Sequence, residues 1–333
     1  MRPKADLEPA VSVGEPTAGA PASAAAPETG RRRPRAARRR IRRLTTRDRL
    51  VITVLLGLPL LFTFVLVWAT TLASVGLSFT NWDGIGSAKF VGIDNYKELF
   101  TNYPPFATAI WHNLLWLGFL ALVATPLGLL FAVLLDRKIR FGRFYQSALY
   151  LPVVLSLAVI GFISQLIFAR DDGILNTLLG TTGPGQHPVD WIGDPHINIW
   201  VVLVMAGWRH AGYVMVLYLA GLKGVDPSLK EAAAIDGANA RQTFFRVVFP
   251  VMRPVNIIVG VITVIEALRA FDIVYAINGG TNGLELLSVL ITDNIIGEAS
   301  RIGFGSAIAV VLLLISVGCI VAYCMTELRE EKS

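Results

Sequence analysis

The chain has 333 residues, 54% of them hydrophobic, with 30 basic and 24 acidic side chains and a net charge of +6. That composition and a positive mean hydropathy weigh against a soluble enzyme and point to an integral membrane protein. The two cysteines (Cys319, Cys324) and four scattered histidines (His112, His187, His196, His210) have no spacing suited to a disulfide framework or a metal site.

Residues 1–49 are low in complexity, rich in Ala, Pro and Gly and then in Arg from Arg31 to Arg49. Too little apolar surface is present there to offset the entropy of ordering, so a disordered tail is expected. It holds 13 of the 30 basic residues against 5 acids, a net +8 that leaves −2 for the rest of the chain. The basic balance therefore belongs to the tail and predicts contact with anionic membrane lipid and a topological signal, with no nucleic acid partner.

Six apolar runs follow, roughly 51–77, 109–135, 145–168, 197–221, 252–277 and 305–325. Each can cross a ~30 Å bilayer core, which takes ~20 helical residues. Backbone polar groups in lipid must be satisfied within the segment, so the runs predict helices. The expected fold is all-α: a polytopic membrane protein with six transmembrane helices over residues 50–327. The first run is too long for a signal-peptide core and is expected to be retained. Arg137, Lys138, Arg140, Arg143, Lys223, Lys230, Arg241, Arg246, Arg253, Arg329 and Lys332 fall on the side of the tail, against Lys89, Lys97, Arg170 and Arg301 on the other. By the positive-inside rule both termini, including 328–333, and the segment 226–250 are cytoplasmic.

Between the first two runs, residues 78–96 carry turn residues and interfacial aromatics and predict a small folded outer segment. Gln165 puts a polar side chain inside the third run. Segment 226–250 is the long polar interruption. Asp226-Pro227-Ser228 is a helix start, Ala232–Ala234 propagates it with a small face, Gly237 permits a sharp turn, and Pro250 is expected to end the helix beyond that turn. A helix, a turn and a second helix lying flat beneath the bilayer are expected, with Glu231 projecting toward a groove of another protein.

The fifth run contains Glu266, Arg269 and Asp272 three residues apart, then Tyr275 and Asn278. At ~100° per residue they form one inclined stripe on a continuous helix. Charges at membrane depth must be paired or hydrated. Two readings stand: an internal ion ladder Glu266–Arg269–Asp272, or the lining of a solute path in which Tyr275 and Asn278 make contacts. Residues 284–298, interrupted by Glu285, Asp293 and Asn294, are too polar to span and are expected at the outer interface or dipping back. Gly303-Phe304-Gly305-Ser306-Ala307 opens the last run with small residues suited to close packing. No Gly-x-x-x-x-Gly-Lys-Ser/Thr phosphate cradle occurs, and no catalytic constellation gathers in a soluble segment; neither an enzyme nor a cofactor is expected.

The spacing Glu231-Ala232-Ala233, three residues, Gly237, nine residues, then Val247-Val248-Phe249-Pro250 resembles the EAA loop of binding-protein-dependent ABC importer permeases, with Val247 and Phe249 replacing the usual Ile and Leu. Phe90–Tyr96, Tyr150-Leu151-Pro152, Gly173–Asn176, Gly207–Tyr213, Tyr218–Leu222 and Ala276–Thr281 are similar to the sugar-type group, the larger permease subunit of maltose and glycerol-3-phosphate importers. Gln165 and Arg241 depart from it, standing where Trp is usual or frequent. The resemblance implies half of a heterodimeric sugar channel in a bacterial plasma membrane. Its implied partners are a second permease subunit, two ATP-binding subunits and an extracytoplasmic solute-binding protein. Glu231, Ala232, Ala233, Asp236, Gly237 and Pro250 would then couple to the ATPase, and Tyr275, Asn278, Glu266, Arg269 and Asp272 would line the path. The alternative is an ion-coupled secondary transporter, marked by broken helices and an internal repeat; no repeat is visible.

Overall fold

The computed structural model describes residues 45–137, 139–183, 185–297 and 300–330, with side chains up to residue 326. The tail expected to be disordered lies, up to residue 44, outside the described residues. The chain divides into two units, Met1–Leu58 and Pro59–Ser333. Of the first, the described residues supply only the beginning of helix α1 (Thr46–Leu77). Residues 46–49, expected in the tail, are thus helical. Thr45 and Asp48 explain the start: Thr45 N–H donates to Asp48 Oδ2 at 3.0 Å and Asp48 N–H to Thr45 Oγ1 at 3.3 Å, a reciprocal cap.

Helices dominate, and among the described residues there is no strand, only an isolated Thr80–Phe90 bridge. That bridge belongs to the outer segment, where buried Asn95 donates to the carbonyls of Ser78 and Thr80, both at 2.8 Å. After it come α2 (Asp94–Thr101), α3 (Pro104–Asp136), α4 (Gly142–Val154), α5 (Leu157–Phe168), α6 (Ile174–Leu178) and α7 (Asn198–Gly224). The polar segment forms α8 (Pro227–Ile235) and α9, which is Ala240–Thr243 continued through a π-turn, Phe244–Val248, to Phe249–Val251. Then follow α10 (Arg253–Leu268), α11 (Asp272–Asn278), α12 (Leu287–Ile295) and α13 (Ile302–Glu330).

Among the described residues four helices, α1, α3, α7 and the Ile302–Thr326 part of α13, are long and apolar enough to cross a membrane. The third and fifth runs do not form single straight spans, which corrects the sequence expectation. In the third, α4 and α5 meet at 101°. Pro152 deprives the last turn of α4 of a donor, Leu155 and Ser156 turn extended (ψ 143° and 151°), and Ser156 Oγ caps α5 by accepting from Val159 N–H at 3.3 Å. In the fifth, α10 stops at Leu268, and Phe271 (φ −147°, ψ −59°) precedes the restart at Asp272.

Two of the π-turns, Leu120–Ala124 and Phe244–Val248, have a related cause. A proline ring clashes with the carbonyl four residues back. Just before Pro126 and Pro250 the chain widens: Thr125 N–H donates to Leu120 O and Phe249 N–H to Phe244 O, each five residues back.

Helix α7 is the central element, with Val202, Leu203, Ala211, Val214 and Met215 at most 1% exposed. Glycines set its closest approaches: a Cβ on Gly128 of α3 would lie 2.6 Å from Ala211 O. Small residues also seat α13, since a Cβ on Gly303 would lie 2.0 Å from Thr80 O. Of the segment 284–298, residues Leu287–Ile295 form the short helix α12, packed by Leu287 and Leu290 against Phe106, Phe304 and Ile308.

Candidate functional site: the polar segment and the two helix breaks

In the polar segment Asp226 Oδ1 accepts from Ser228 N–H at 2.9 Å and caps α8, with Pro227 in the first turn. These hydrogen bonds, backbone first and then side chain, hold the Asp226 carboxyl below its ordinary range. The alanine run is split: Ala233 is buried, while Ala232, Ala234 and Glu231 are exposed. At the end of α8, Ala238 N–H reaches back to Ala233 O at 3.0 Å and Gly237 takes φ +78°. That left-handed C-cap favours glycine. Asp236 is exposed beside it. Asn239 and Gln242 then form a reciprocal capping box, both bonds 2.9 Å, that starts α9. This box stands in the sequence as Asn-x-x-Gln and was not read there. Pro250 does not end α9, as expected from sequence; the π-turn accommodates its ring and the helix runs to Val251.

Lys230 reaches Asp136 at the end of α3 (3.6 Å), fastening α8 to a span. A cleft of about 410 Å³ lies there, lined by Asp136, Lys230, Ala234 and Phe244. On the solvent side Ile235 is 87% exposed, an apolar knob beside Glu231.

The expected ladder in the fifth run is not formed. Glu266 pairs with Arg209 of α7, Nη1 to Oε2 at 3.3 Å, and among the described residues no ion pair includes Arg269. The cause is the helix break: Glu266 lies in α10, Arg269 just past its end and Asp272 at the start of α11, so no single helical face carries all three. Arg269 and Asp272 are exposed. Tyr275, 48% exposed, stacks on Phe271 with ring centroids 4.8 Å apart. Asn278 is engaged in its own turn: Nδ2 donates to Thr281 O at 2.6 Å, and Oδ1 accepts from Gly280 N–H at 3.0 Å.

The structure adds groups that sequence reading passed over. Leu157 at the start of α5 and Ala270 in the α10–α11 break line the same water-sized cavity as Arg209, His210 and Glu266. The two breaks therefore meet at the ion pair. Beside it, buried His210 lies within hydrogen-bond reach of Thr263 Oγ1 (3.1 Å) and Thr125 Oγ1 (3.3 Å), tying α7, α10 and α3 together. Arg209 could have been found as a charge inside an apolar run.

Gln165 donates to the carbonyls of Ala276 (2.9 Å) and Ile277 (2.6 Å), which joins α5 to α11. Among the described residues no cluster of His, Cys, Asp and Glu could hold a metal ion, and Cys319 and Cys324 are free thiols on α13.

Long apolar helices, two helix breaks around an internal ion pair, and a capped polar helix pair define the class: a multi-pass membrane transport protein. Comparison with known proteins narrows it. Residues 124–330 match the family described as binding-protein-dependent transport system inner membrane component. The chain is 31% identical over 282 residues to the xylose/arabinose import permease protein XacH of Haloferax volcanii, covering 82% of this chain and 87% of that one. It is 34% identical over 236 residues to the arabinooligosaccharides transport system permease protein AraP of Bacillus subtilis, covering 69% and 74%. Its fold matches a crystal structure of a bacterial ABC transporter involved in import of the acidic polysaccharide alginate, with a TM-score of 0.71 at 20% identity over 85% of this chain and 96% of that one.

The chain belongs to the binding-protein-dependent transport system inner membrane component family. It is an ABC importer permease, a multi-pass protein of the plasma membrane and a transport subunit by family. Broken helices, taken from sequence as a mark of secondary transporters, thus occur in a chain of this family.

Proposed function

We propose that this chain is one half of the transmembrane channel of an ATP-driven importer for a sugar or oligosaccharide. A second permease subunit completes the channel, two ATP-binding subunits drive it, and an extracytoplasmic binding protein delivers the solute. The carrying observation is the capped α8–Gly237–α9 element, fastened to α3 by Lys230–Asp136 and presenting Glu231 and Ile235 outward. A rigid element of that kind can transmit force from a docked motor. Glu231, Ala232, Ala233, Asp236, Gly237 and Pro250 build it. The printed names of XacH and AraP support pentoses or their oligomers as the cargo class.

In this reading the chain crosses the membrane six times, with the third and fifth crossings broken. Both termini and residues 226–250 are cytoplasmic, as the Lys/Arg asymmetry favours. The solute path runs past Arg209 and Glu266, with Arg269, Asp272 and Tyr275 exposed beyond the break. Asn278 acts on the path through the turn it organises.

The test is uptake of xylose, arabinose and arabinooligosaccharides by cells expressing this chain with its co-encoded subunits. Glu231→Ala is expected to lower uptake and weaken co-purification of the ATP-binding subunits while membrane abundance holds. A lost charge-assisted contact across such an interface costs ~2–5 kcal/mol. Wild-type uptake and association in the variant would refute the coupling role.

A further inference from the structure

A cleft of about 290 Å³ opens where the outer segment and α2 meet the start of α13. Trp82, Asp83, Asp94, Asn95, Glu98 and Arg301 line it. Its two sides are joined by Gly303 N–H, which donates to Trp82 O at 2.9 Å. In the orientation proposed above, the cleft faces away from the cytoplasm.

One wall holds a polar atom without a partner. Asn95 is only 7% exposed, and its Nδ2 is spent on the carbonyls of Ser78 and Thr80. A flipped amide would set oxygen against two oxygens, so the acceptor end is the free one. No donor among the described residues reaches Asn95 Oδ1, and unlike Asn198 Oδ1 and Asn256 Oδ1 it is not sealed from water. A buried acceptor of this kind calls for a donor from outside the chain.

Charge says which donor. The walls carry three carboxylates and one guanidinium, a net −2. Arg301 is already committed: Nη2 donates to Glu98 Oε1 at 2.6 Å, and the guanidinium lies 4.1 Å from the centre of the Phe304 ring. That leaves Asp83 and Asp94. Asp83 is exposed, accepts the Ile85 N–H at 2.9 Å on Oδ1, and enters no ion pair among the described residues. Asp94 meets Lys97 at 3.1 Å, but the two side chains are 68% and 65% exposed, so water weakens that pair. Trp82, fixed by Nε1 donating to Gly86 O at 3.2 Å, adds an aromatic wall, which attracts cations.

We propose that this cleft is a socket for one lysine or arginine side chain of the extracytoplasmic binding protein. The N–H groups of that side chain donate to Asn95 Oδ1 and to the free oxygens of Asp83 and Asp94, and its charge offsets theirs. A sugar hydroxyl satisfies the amide oxygen but leaves both carboxylates uncompensated. Because the socket spans the outer segment and the start of α13, docking there bears directly on a long apolar helix.

The socket rests on the importer reading, and the test separates the two. Association of the co-encoded binding protein with the assembled importer in nanodiscs is followed at low and high salt. Asp83→Asn combined with Asp94→Asn removes two charges and keeps side-chain oxygens as acceptors. It is expected to slow association about tenfold at low salt, with the difference lost at high salt. Val91→Trp fills the cleft from its partly exposed wall without removing a charge or a side-chain hydrogen bond, and is expected to speed dissociation about tenfold. On the wild-type importer, carbodiimide labelling of Asp83 and Asp94, read by mass spectrometry, is expected to be lost when the binding protein is added. This readout does not depend on how either variant folds. Undiminished labelling, or wild-type kinetics in either variant, overturns the socket and leaves the importer reading standing. Protection by free arginine or spermidine but not by the binding protein makes the cleft a site for a soluble cation and overturns the docking role. Failure of the binding protein to associate with the wild-type importer at all overturns the importer reading itself.

Discussion

Gln165→Leu removes the amide donor and leaves two backbone carbonyls without partners. A helix ends with four carbonyls that lack intrahelical donors. In α11 these belong to Tyr275, Ala276, Ile277 and Asn278, and each has a named partner. Tyr275 O accepts from Gly279 N–H, Ala276 O and Ile277 O accept from Gln165 Nε2, and Asn278 O accepts from Thr281 Oγ1. Half of the helix end therefore depends on one amide from another helix. An unsatisfied buried carbonyl costs ~1–3 kcal/mol. Gln165 is half-buried, so the lower part of the range applies to each, about 2–4 kcal/mol for the pair. At ~2–4 °C per kcal/mol for a chain of this size, the melting temperature of the purified chain in nanodiscs should fall by at least ~4 °C. The same contact aligns α11 with α5, where Gly161 is so close to α11 that a Cβ would lie 2.8 Å from Ala276 Cβ. Uptake should therefore fall with stability. A melting temperature within a degree of wild type would show that these carbonyls find other donors and that the α5–α11 joint does not depend on Gln165.

Arg209→Ala leaves Glu266 facing a small cavity without its cation, and breaking such a pair costs about 3–5 kcal/mol when fully buried. The pair is partly exposed, so a smaller loss is expected, measured as reduced membrane abundance; Arg209→Ala with Glu266→Gln should recover most of it. Gly237→Leu forces a side chain into φ +78° and should cost ~1–2 kcal/mol and lower coupled ATPase activity, whereas Gly237→Asn should be nearly silent. Tyr275→Ala should reduce uptake without affecting thermal stability, since the ring is half exposed and, among the described residues, Phe271 is its one ring partner; Asn278→Ala should reduce both, because it dismantles a turn. For Asp226 the folded carboxyl titrates below its unfolded counterpart, so its cap stabilises α8 above the ordinary carboxylate range and is lost as pH falls through the lowered value. Proteolysis within 226–239 should rise in that acid window, and Asp226→Asn, which still caps, should abolish the dependence.

The class of this protein, its long helices and its polar helix pair were legible in sequence because each rests on local chemistry. Twenty apolar residues must become helix in lipid whatever surrounds them, and Asp226-Pro227, Gly237 and the spacing to Pro250 act through bonds a few residues apart. The ion ladder on one helical face was misread because its determinants are not local. Glu266, Arg269 and Asp272 share a periodicity that holds only while the helix is unbroken. Whether α10 continues past Leu268 depends on donors from elsewhere: Asn113 Nδ2 donates to Ala267 O at 3.2 Å, the Asn113 amide itself held by Leu287 N–H, which donates to its Oδ1 at 3.0 Å, and Ser288 Oγ donates to Ala270 O. Those partners come from α3 and the start of α12, and once they satisfy the freed backbone the break is tolerated within a membrane. The same holds for Arg209, which meets Glu266 from 57 residues away, and for Gln165, whose amide finds α11 more than a hundred residues along the chain. Sequence alone determined that these polar groups lie inside apolar runs and need partners; only the packing of α5, α7, α10 and α11 decided which partners, because hydrogen bonds and ion pairs are chosen by distance in space and not along the chain.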